Sequence, residues 1–471
     1  MALNTELFWL LGEFAAVMHV AIASAVTVHV LLYKRNVGAA VSWIGIAWLS
    51  PFLGALLYAI MGINRVKRRA QRLRGRLQPP TVAEEKALAD PADPLTPLEF
   101  AIGRLTGLPV EPGNRIETLH SGDEAYPRML AAIAAAEKSV GLMSYIFRAD
   151  KAGEAFHQAL IQAQRRGVEV RVLIDGVGGG YFWSGTYNHL RRAGVPVARF
   201  LHSYFPLRMP FVNLRNHRKV LVVDGRVGFT GGINIGAENV RADNPPHIVL
   251  DRHFQLEGPI VGQLTEAFAD DWLFTTGEKL LTGHWFPPLE KAGTVPARVV
   301  TSGPDEDMEQ IEFVALHAIS CANKSVRVVT PYFLPPEPLT MSLGLAALRG
   351  VTVDIVLPEH SNHPVVDWAR RIPLRPLIEA GCRVWLMPAP FDHSKLMVID
   401  DSWTLIGSAN WDTRSFRLNF ELNVELHDPD FACTVGAVAP TTRQLTLGEL
   451  DSDPLPIRLR NSAARLLQPY L

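Results

Sequence analysis

From Leu7 to Tyr33 nearly every position is apolar, interrupted only by a few polar residues that include Glu13, His19 and His29. Lys34-Arg35-Asn36 breaks the run, and Val37–Ile63 then continues without a single charge. About 20 helical residues cross a hydrocarbon core of about 30 Å, so each run is long enough to span a bilayer. The pattern predicts a two-helix transmembrane hairpin. A cleaved signal peptide does not fit, because Met1–Phe8 carries a Glu and no Lys or Arg. Arg65, Lys67, Arg68, Arg69, Arg72, Arg74 and Arg76 follow the second run and outweigh Lys34 and Arg35 in the connecting loop. The excess of positive charge then predicts that the N-terminus and everything after residue 65 face the cytoplasm, with the basic run against anionic headgroups.

Beyond a Pro-, Ala- and acid-rich stretch (Pro79–Pro97), the periodicity changes and then repeats. Helical stretches such as Glu154–Arg166 alternate with β-branched runs such as Val168–Ile174. That alternation predicts an α/β fold with a parallel or mixed sheet covered by helices. "AEKSVGLMSYIF" (Ala136–Phe147) matches "ANKSVRVVTPYF" (Ala322–Phe333), and "RGVEVRVLIDG" (Arg166–Gly176) matches "RGVTVDIVLPE" (Arg349–Glu359). "RRAGVPVARF" (Arg191–Phe200) answers "IEAGCRVWLM" (Ile378–Met387). "RNHRKVLVVDGRVGFTGG" from Arg215 and "FDHSKLMVIDDSWTLIGS" from Phe391 come next in each half. Four landmarks in one order predict two copies of one unit.

The last pair carries the chemistry. Residues two apart on a strand share a face, so His217 with Lys219, and His393 with Lys395, are expected to project together. An imidazole beside a fixed positive charge suits a phosphate. With two units packed about a pseudo-twofold axis, one histidine attacks phosphorus while the other protonates the leaving oxygen, and the lysines hold the non-bridging oxygens. Asp224 and Asp400 have opposite parity at the strand ends, which points to a supporting role. Gly232 and Ser408, with Asn234 and Asn410 at matching offsets, are candidate phosphate-binding positions. A neutral attacking imidazole needs a carboxylate on its other nitrogen. The expected partner of His393 is Glu421, with Glu425 sharing its parity, and that of His217 is Asp251 or Glu257.

Composition narrows the choice. The net charge of −1 offers little of the phosphate-tracking surface that nucleic-acid binding needs. Cys321, Cys382 and Cys433 lie far apart, so neither a disulfide framework nor a structural zinc site is expected from them. The His-Lys set requires no metal and no cofactor.

These residues resemble the phospholipase D superfamily, whose HxKxxxxD motif occurs twice in single-chain members, and more closely its bacterial cardiolipin synthases. "TPYFLP", "HSKLMVIDDSWTLIGSANWDTRSFRLNFELN" and "VSWIGIAWLSPFLGALLYAIMGINR" carry that likeness over nearly the whole chain. It implies two duplicated α/β/α sandwich units packed as a pseudo-dimer behind an all-α transmembrane hairpin. The implied boundaries are 1–64 for the hairpin, 65–112 for a basic segment and linker, 113–280 and 301–471 for the repeats, and 281–300 for a connector. It also implies metal-independent phosphatidyl transfer from one phosphatidylglycerol to a second, at the bacterial inner membrane and with no nucleic acid involved. The implied catalytic set is His217, Lys219, Asp224, His393, Lys395 and Asp400, with His217 as nucleophile and His393 as general acid. In "LDRHFQLEGP", Leu250 replaces the Trp-Arg-type pair usual before Asp251. The loop holding Tyr204, Phe205, Pro206 and Phe211 either dips into lipid or packs as an ordinary loop. Water in place of the acceptor lipid would make the enzyme a phospholipase D-type hydrolase.

Overall fold

The computed structural model describes residues 2–34, 37–62, 95–203, 214–303, 309–437 and 442–468. The basic run from Arg65 to Arg76 and the loop with Tyr204, Phe205, Pro206 and Phe211 lie outside the described residues. The chain divides into two compact units, one comprising Met1–Arg69 with Ser203–Asn213 and the other the remainder.

In the first unit a single helix runs from Ala2 to Tyr33, and its Leu11–Tyr33 portion is long and apolar enough to cross a membrane. The second apolar run does not form a matching span. It makes a helix over Val37–Leu49, breaks at Ser50, and restarts with Pro51 at the first helical position over Pro51–Leu57, continuing as a π-turn over Tyr58–Gly62. Proline pre-sets the helical φ and forfeits only an N–H that has no helical partner at that position. The restarted helix doubles back: a Cβ on Gly54 would lie 2.6 Å from the Ile46 carbonyl oxygen. Tyr58 thereby returns to the level of His29, whose Nδ1 lies 2.7 Å from the Tyr58 hydroxyl, and its ring meets Trp43 at 5.4 Å. Thirteen helical residues rise only about 20 Å, short of the hydrocarbon thickness. The predicted two-span hairpin is therefore corrected to one helix long and apolar enough to span and a helical segment that turns back. The polar residues of the first helix serve this turn. His19 Nε2 meets the Trp48 carbonyl at 3.0 Å, satisfying a helix-terminal acceptor, and Thr27 accepts from Trp48 Nε1 at 3.0 Å.

The second unit is built on one mixed sheet of 16 strands among the described residues. Its order is palindromic. Outward from the centre on one side run Glu111–His120, Arg252–Glu257, Val227–Gly231, Val220–Val223, Ser139–Ser144, Glu169–Asp175 and Val197–Phe200. On the other run Val295–Ser302, Asn419–His427, Trp403–Gly407, Leu396–Ile399, Ser325–Val329, Thr352–Pro358 and Arg383–Met387. The two central strands pair antiparallel, placing a pseudo-twofold axis between the halves. Ser139–Ser144, Glu169–Asp175 and Val197–Phe200 are parallel to one another, as are Ser325–Val329, Thr352–Pro358 and Arg383–Met387, with helices linking them as βαβ crossovers require. A short Arg443–Gln444 strand adds antiparallel at the second half's edge. Val220–Val223 and Leu396–Ile399 are buried throughout, which accounts for their unbroken apolar sequence.

Each half has its own apolar core. The helix Thr96–Thr106, inside the stretch expected as linker, buries Leu98 and Ile102 in the second half's core. Val295–Ser302 likewise starts within the expected connector.

Candidate active site

Each His-Lys pair sits just ahead of a core strand, in a segment captured by the opposite half. Arg215–Asn216 pairs parallel with Asn419–Phe420, and His217 N donates to the Phe420 carbonyl at 2.9 Å. Phe391–Asp392 pairs parallel with Val249–Leu250, and His393 N donates to the Leu250 carbonyl at 2.7 Å. In both cases the next residue of the receiving strand is a carboxylate.

The orienting carboxylates consequently cross over. His217 Nδ1 lies 3.0 Å from Glu421 Oε2 and 3.1 Å from the Ser408 carbonyl oxygen. His393 Nδ1 lies 2.8 Å from Asp251 Oδ2. The expectation that each histidine takes its carboxylate from its own half is corrected: the parallel pairings bring the opposite strand's acid beneath each ring. Glu425 is instead the buried partner of Arg298 and Trp403, and Glu257 pairs with Arg115. Because the partners of Nδ1 are acceptors, Nδ1 carries the proton in each ring and Nε2 keeps its lone pair.

Burial lowers the pKa of His217 against the opposing pull of Glu421, and burial with Lys395, Lys219 and His217 lowers that of His393 well below its ordinary value. Both rings are therefore neutral at pH 7. Each histidine feels the lysine of the other half, so the two motifs form one site. Burial also brings Lys219 down to about 7 and Lys395 to about 8, with Glu421 and Asp251 opposing. Lys219 Nζ donates to the His217 carbonyl at 2.6 Å, and Lys395 Nζ likewise to that of His393. Burial alone would raise Glu421, but His217, Lys219 and the Ser408 hydroxyl bring it below the usual carboxylate range. Asp251 is pushed up to about 6 by burial, Lys395 opposing. An anionic phosphodiester entering this cluster would favour the protonated form of both lysines.

The remaining predicted residues divide. Asp224 and Asp400 stand at the far ends of their strands, where each carboxylate accepts three consecutive backbone N–H groups: Glu137, Lys138 and Ser139 for Asp224, and Asn323, Lys324 and Ser325 for Asp400. These contacts clamp the neighbouring strand, the supporting role that parity suggested, and set both carboxylates apart from the catalytic set that the resemblance implied. Gly232 N and Ser408 N donate to the Arg252 and Leu422 carbonyls, so these amides close the sheet ladder instead of facing an anion. Gly232 leaves room for Asp251, since a Cβ would lie 2.2 Å from Asp251 Oδ1. Ser408 Oγ donates to Glu421 Oε2 at 2.5 Å and accepts from Leu422 N. Asn234 Oδ1 accepts from Ile146 N at 3.2 Å and holds the segment that follows the Ser139–Ser144 strand, whereas the buried Asn410 Oδ1 has no partner.

Several residues escaped the sequence reading. Tyr145 and Tyr332, near the ends of the first matched blocks, set T-shaped rings against His217 at 5.0 Å and His393 at 5.8 Å. Arg218 pairs with Asp271 at 3.0 Å and donates from Nε to the Glu421 carbonyl, tying the two halves together. The Arg beside the motif's His was the available signal.

The family model described as "Cardiolipin synthase, PLD-like domain" matches residues 129–272 and 315–437, one segment in each half. The chain is 32% identical over 99% of its length to a cardiolipin synthase of Geobacillus kaustophilus, covering 96% of that protein. It is 31% identical over 93% of its length to the major cardiolipin synthase of Bacillus subtilis, covering 95% of it. A phosphatidylserine synthase structure from Haemophilus influenzae shares the fold, with a TM-score of 0.61 and 16% identity over 80% of this chain and 100% of that one. With the duplicated motif, the paired carboxylates and full-length similarity in agreement, the chain belongs to the phospholipase D-like cardiolipin synthase family and is a phosphatidyltransferase.

Proposed function

We propose that the enzyme transfers the phosphatidyl group of one phosphatidylglycerol to the terminal hydroxyl of a second, through a phosphohistidine on His217. The observation that carries this reading is the pair of crossed contacts, His217–Glu421 and His393–Asp251, which leave two neutral Nε2 atoms for one phosphate. His217 Nε2 attacks phosphorus and the P–O bond to the headgroup glycerol breaks. His393 takes up a proton at Nε2 when the anionic phosphodiester binds, its charge held by Asp251; it gives that proton to the departing oxygen, and glycerol leaves. His393 then removes the proton from the acceptor hydroxyl, whose oxygen attacks phosphorus. The P–N bond breaks and both histidines are restored.

Glu421, the more firmly ionised acid, supports His217 as the nucleophile because it stabilises the positive ring that forms on attack. Asp251, pushed up to about 6, supports the His393–Asp251 pair as the proton carrier. Lys219 and Lys395 neutralise the non-bridging oxygens, and Asn410 adds an amide. With phosphatidylglycerol in mixed micelles, His217→Ala and His393→Ala are each expected to abolish cardiolipin formation, and His393→Ala to accumulate a covalent phosphatidyl adduct. Full turnover in either variant overturns the reading, and phosphatidic acid without cardiolipin from the wild type makes the enzyme a hydrolase.

The enzyme works at the inner membrane with its catalytic residues on the cytoplasmic side. The doubled-back segment supports a different orientation for the N-terminus from the one sequence suggested. Gly62, where the described segment ends, then lies toward the same side of the bilayer as Lys34, and the basic residues that flank the apolar segments in sequence make that side the cytoplasmic one. The Ala2 end of the spanning helix is external. In intact cells an impermeant maleimide should label Asn4→Cys and spare the exposed Cys433 until the membrane is opened. Protection of both in intact cells restores the two-span hairpin.

A further inference from the structure

The most informative group outside the active site joins the helices Lys151–Arg165 and Gly185–Arg192. It consists of Glu154, His157 and His189, whose ligand atoms lie within 4.8 Å of one another. Glu154 and His157 are one turn apart, so they share a helix face. His189 stacks on His157, with ring centroids 4.9 Å apart and planes inclined by 18°.

The hydrogen bonds around His157 decide what its inner nitrogen offers. Thr186 Oγ1 donates its one proton to the Phe147 carbonyl at 2.8 Å, so it accepts from His157 Nε2 at 3.1 Å. The opposite orientation would strip the Phe147 carbonyl of this donor in a buried setting. His157 therefore carries its proton on Nε2 and presents the lone pair of Nδ1 to Glu154 Oε2, 3.3 Å away. Two acceptors face each other, and a cation belongs between them. A second proton on the ring fits poorly on two counts. The ring is buried, which opposes its charging, and a charge-assisted N–H···O contact contracts to about 2.7–2.9 Å. A tetrahedral ion with bonds of about 2.1 Å separates its ligands by about 3.4 Å, close to the spacing observed.

We propose that Glu154, His157 and His189 form a binding site for a divalent transition-metal ion of the zinc type. Two imidazoles and a carboxylate suit such an ion, with the fourth position left to water. Cysteine spacing gave no hint of it, because the fold assembles the site from Glu-x-x-His on one helix and a histidine on the next. His189 and Glu154 are exposed, so a small side-chain swing completes the triangle. The ion would pin the second helix to the first. The site stands apart from the phosphatidyl-transfer residues and is independent of the reaction proposed above.

Full-length protein in detergent, stripped with chelator, is titrated with Zn2+ by calorimetry at neutral pH, and with Co2+ for its visible spectrum. The expected result is one equivalent bound, a higher Tm, and tetrahedral-type Co2+ absorption. His189→Ala and Glu154→Gln should each weaken binding by more than about tenfold, since even outer-shell partners contribute that much. Both substitutions are on exposed side chains and should leave phosphatidyl transfer intact. Two results would overturn the proposal: absence of Zn2+ binding with ordinary titration of His157, or binding that neither substitution alters.

Discussion

Replacing Glu421 by Gln keeps the shape of a fully buried side chain but removes the charge facing His217. The loss can be bounded from the geometry. A hydrogen bond to a charged group contributes about 2 kcal/mol, which sets the lower limit. When His217 takes the phosphoryl group its ring becomes cationic 3.0 Å from Glu421. At an effective dielectric of about 20 that attraction is about 5.5 kcal/mol, the upper limit. Converted at about 1.4 kcal/mol per decade, kcat should fall by a factor between about 30 and 8,000. Leaving-group dependence isolates the step. With a nitrophenyl phosphodiester, whose leaving group needs no proton, Glu421→Gln should still be slow because the nucleophile itself is impaired. Asp251→Asn should be nearly normal on that substrate and slow on phosphatidylglycerol. Quenched-flow measurement of product and adduct reads both. The reverse pattern, or a Glu421→Gln enzyme within about threefold of wild type on both substrates, refutes the crossed arrangement and the roles drawn from it.

Anion binding should take up protons. Burial brings Lys219 and Lys395 to about 7 and 8, and a bound phosphate favours their charged forms. Inhibition by inorganic phosphate should therefore weaken as pH rises through that window, and calorimetry in buffers of different ionisation enthalpy should report net uptake; a flat profile would show the lysines already fully charged. Asp224→Ala and Asp400→Ala should each lower stability by about 2–4 kcal/mol in denaturant titrations, from three lost backbone contacts. Activity per folded molecule should stay within a few-fold of wild type. Asn should be milder at both sites, because each residue holds φ of 52°. Gly232→Ala should drive a methyl into Asp251 and abolish transfer with little change in Tm, whereas Ser408→Gly, which removes one donor from Glu421, should cost about tenfold in kcat.

The duplication, the α/β alternation within each half and the candidates for the orienting acids were readable from pattern. Parity along one strand reveals which side chains share a face, and that narrows the acids to Glu421 or Glu425 and to Asp251 or Glu257 without choosing within either pair. Which histidine each acid serves depends on Arg215–Asn216 meeting Asn419–Phe420, a pairing between residues about 200 apart that no local period encodes. The phosphate role read for Gly232 and Ser408 failed for a related reason: glycine and serine mark a close approach, but sequence leaves open what approaches. In the membrane segment the signal was present and outweighed. Ser50-Pro51 in "WLSPFLG" is a helix-start signature, yet the absence of charge across Val37–Ile63 argued more loudly for one continuous span. The helix Thr96–Thr106 was hidden by the Pro- and acid-rich stretch before it, although Leu98 and Ile102 already stood one turn apart.

The exchange of strand ends between the halves has an evolutionary meaning. A duplicated chain is ordinarily free to keep one copy as the enzyme and let the other decay into a spacer. That route is closed where each copy holds the acid that orients its sister's base. Damage to Asp251 in the first copy is felt at His393 in the second, and damage to Glu421 in the second is felt at His217 in the first. The two copies are therefore bound to one fate, and a chain severed between them would yield two fragments inert alone and active only when reunited.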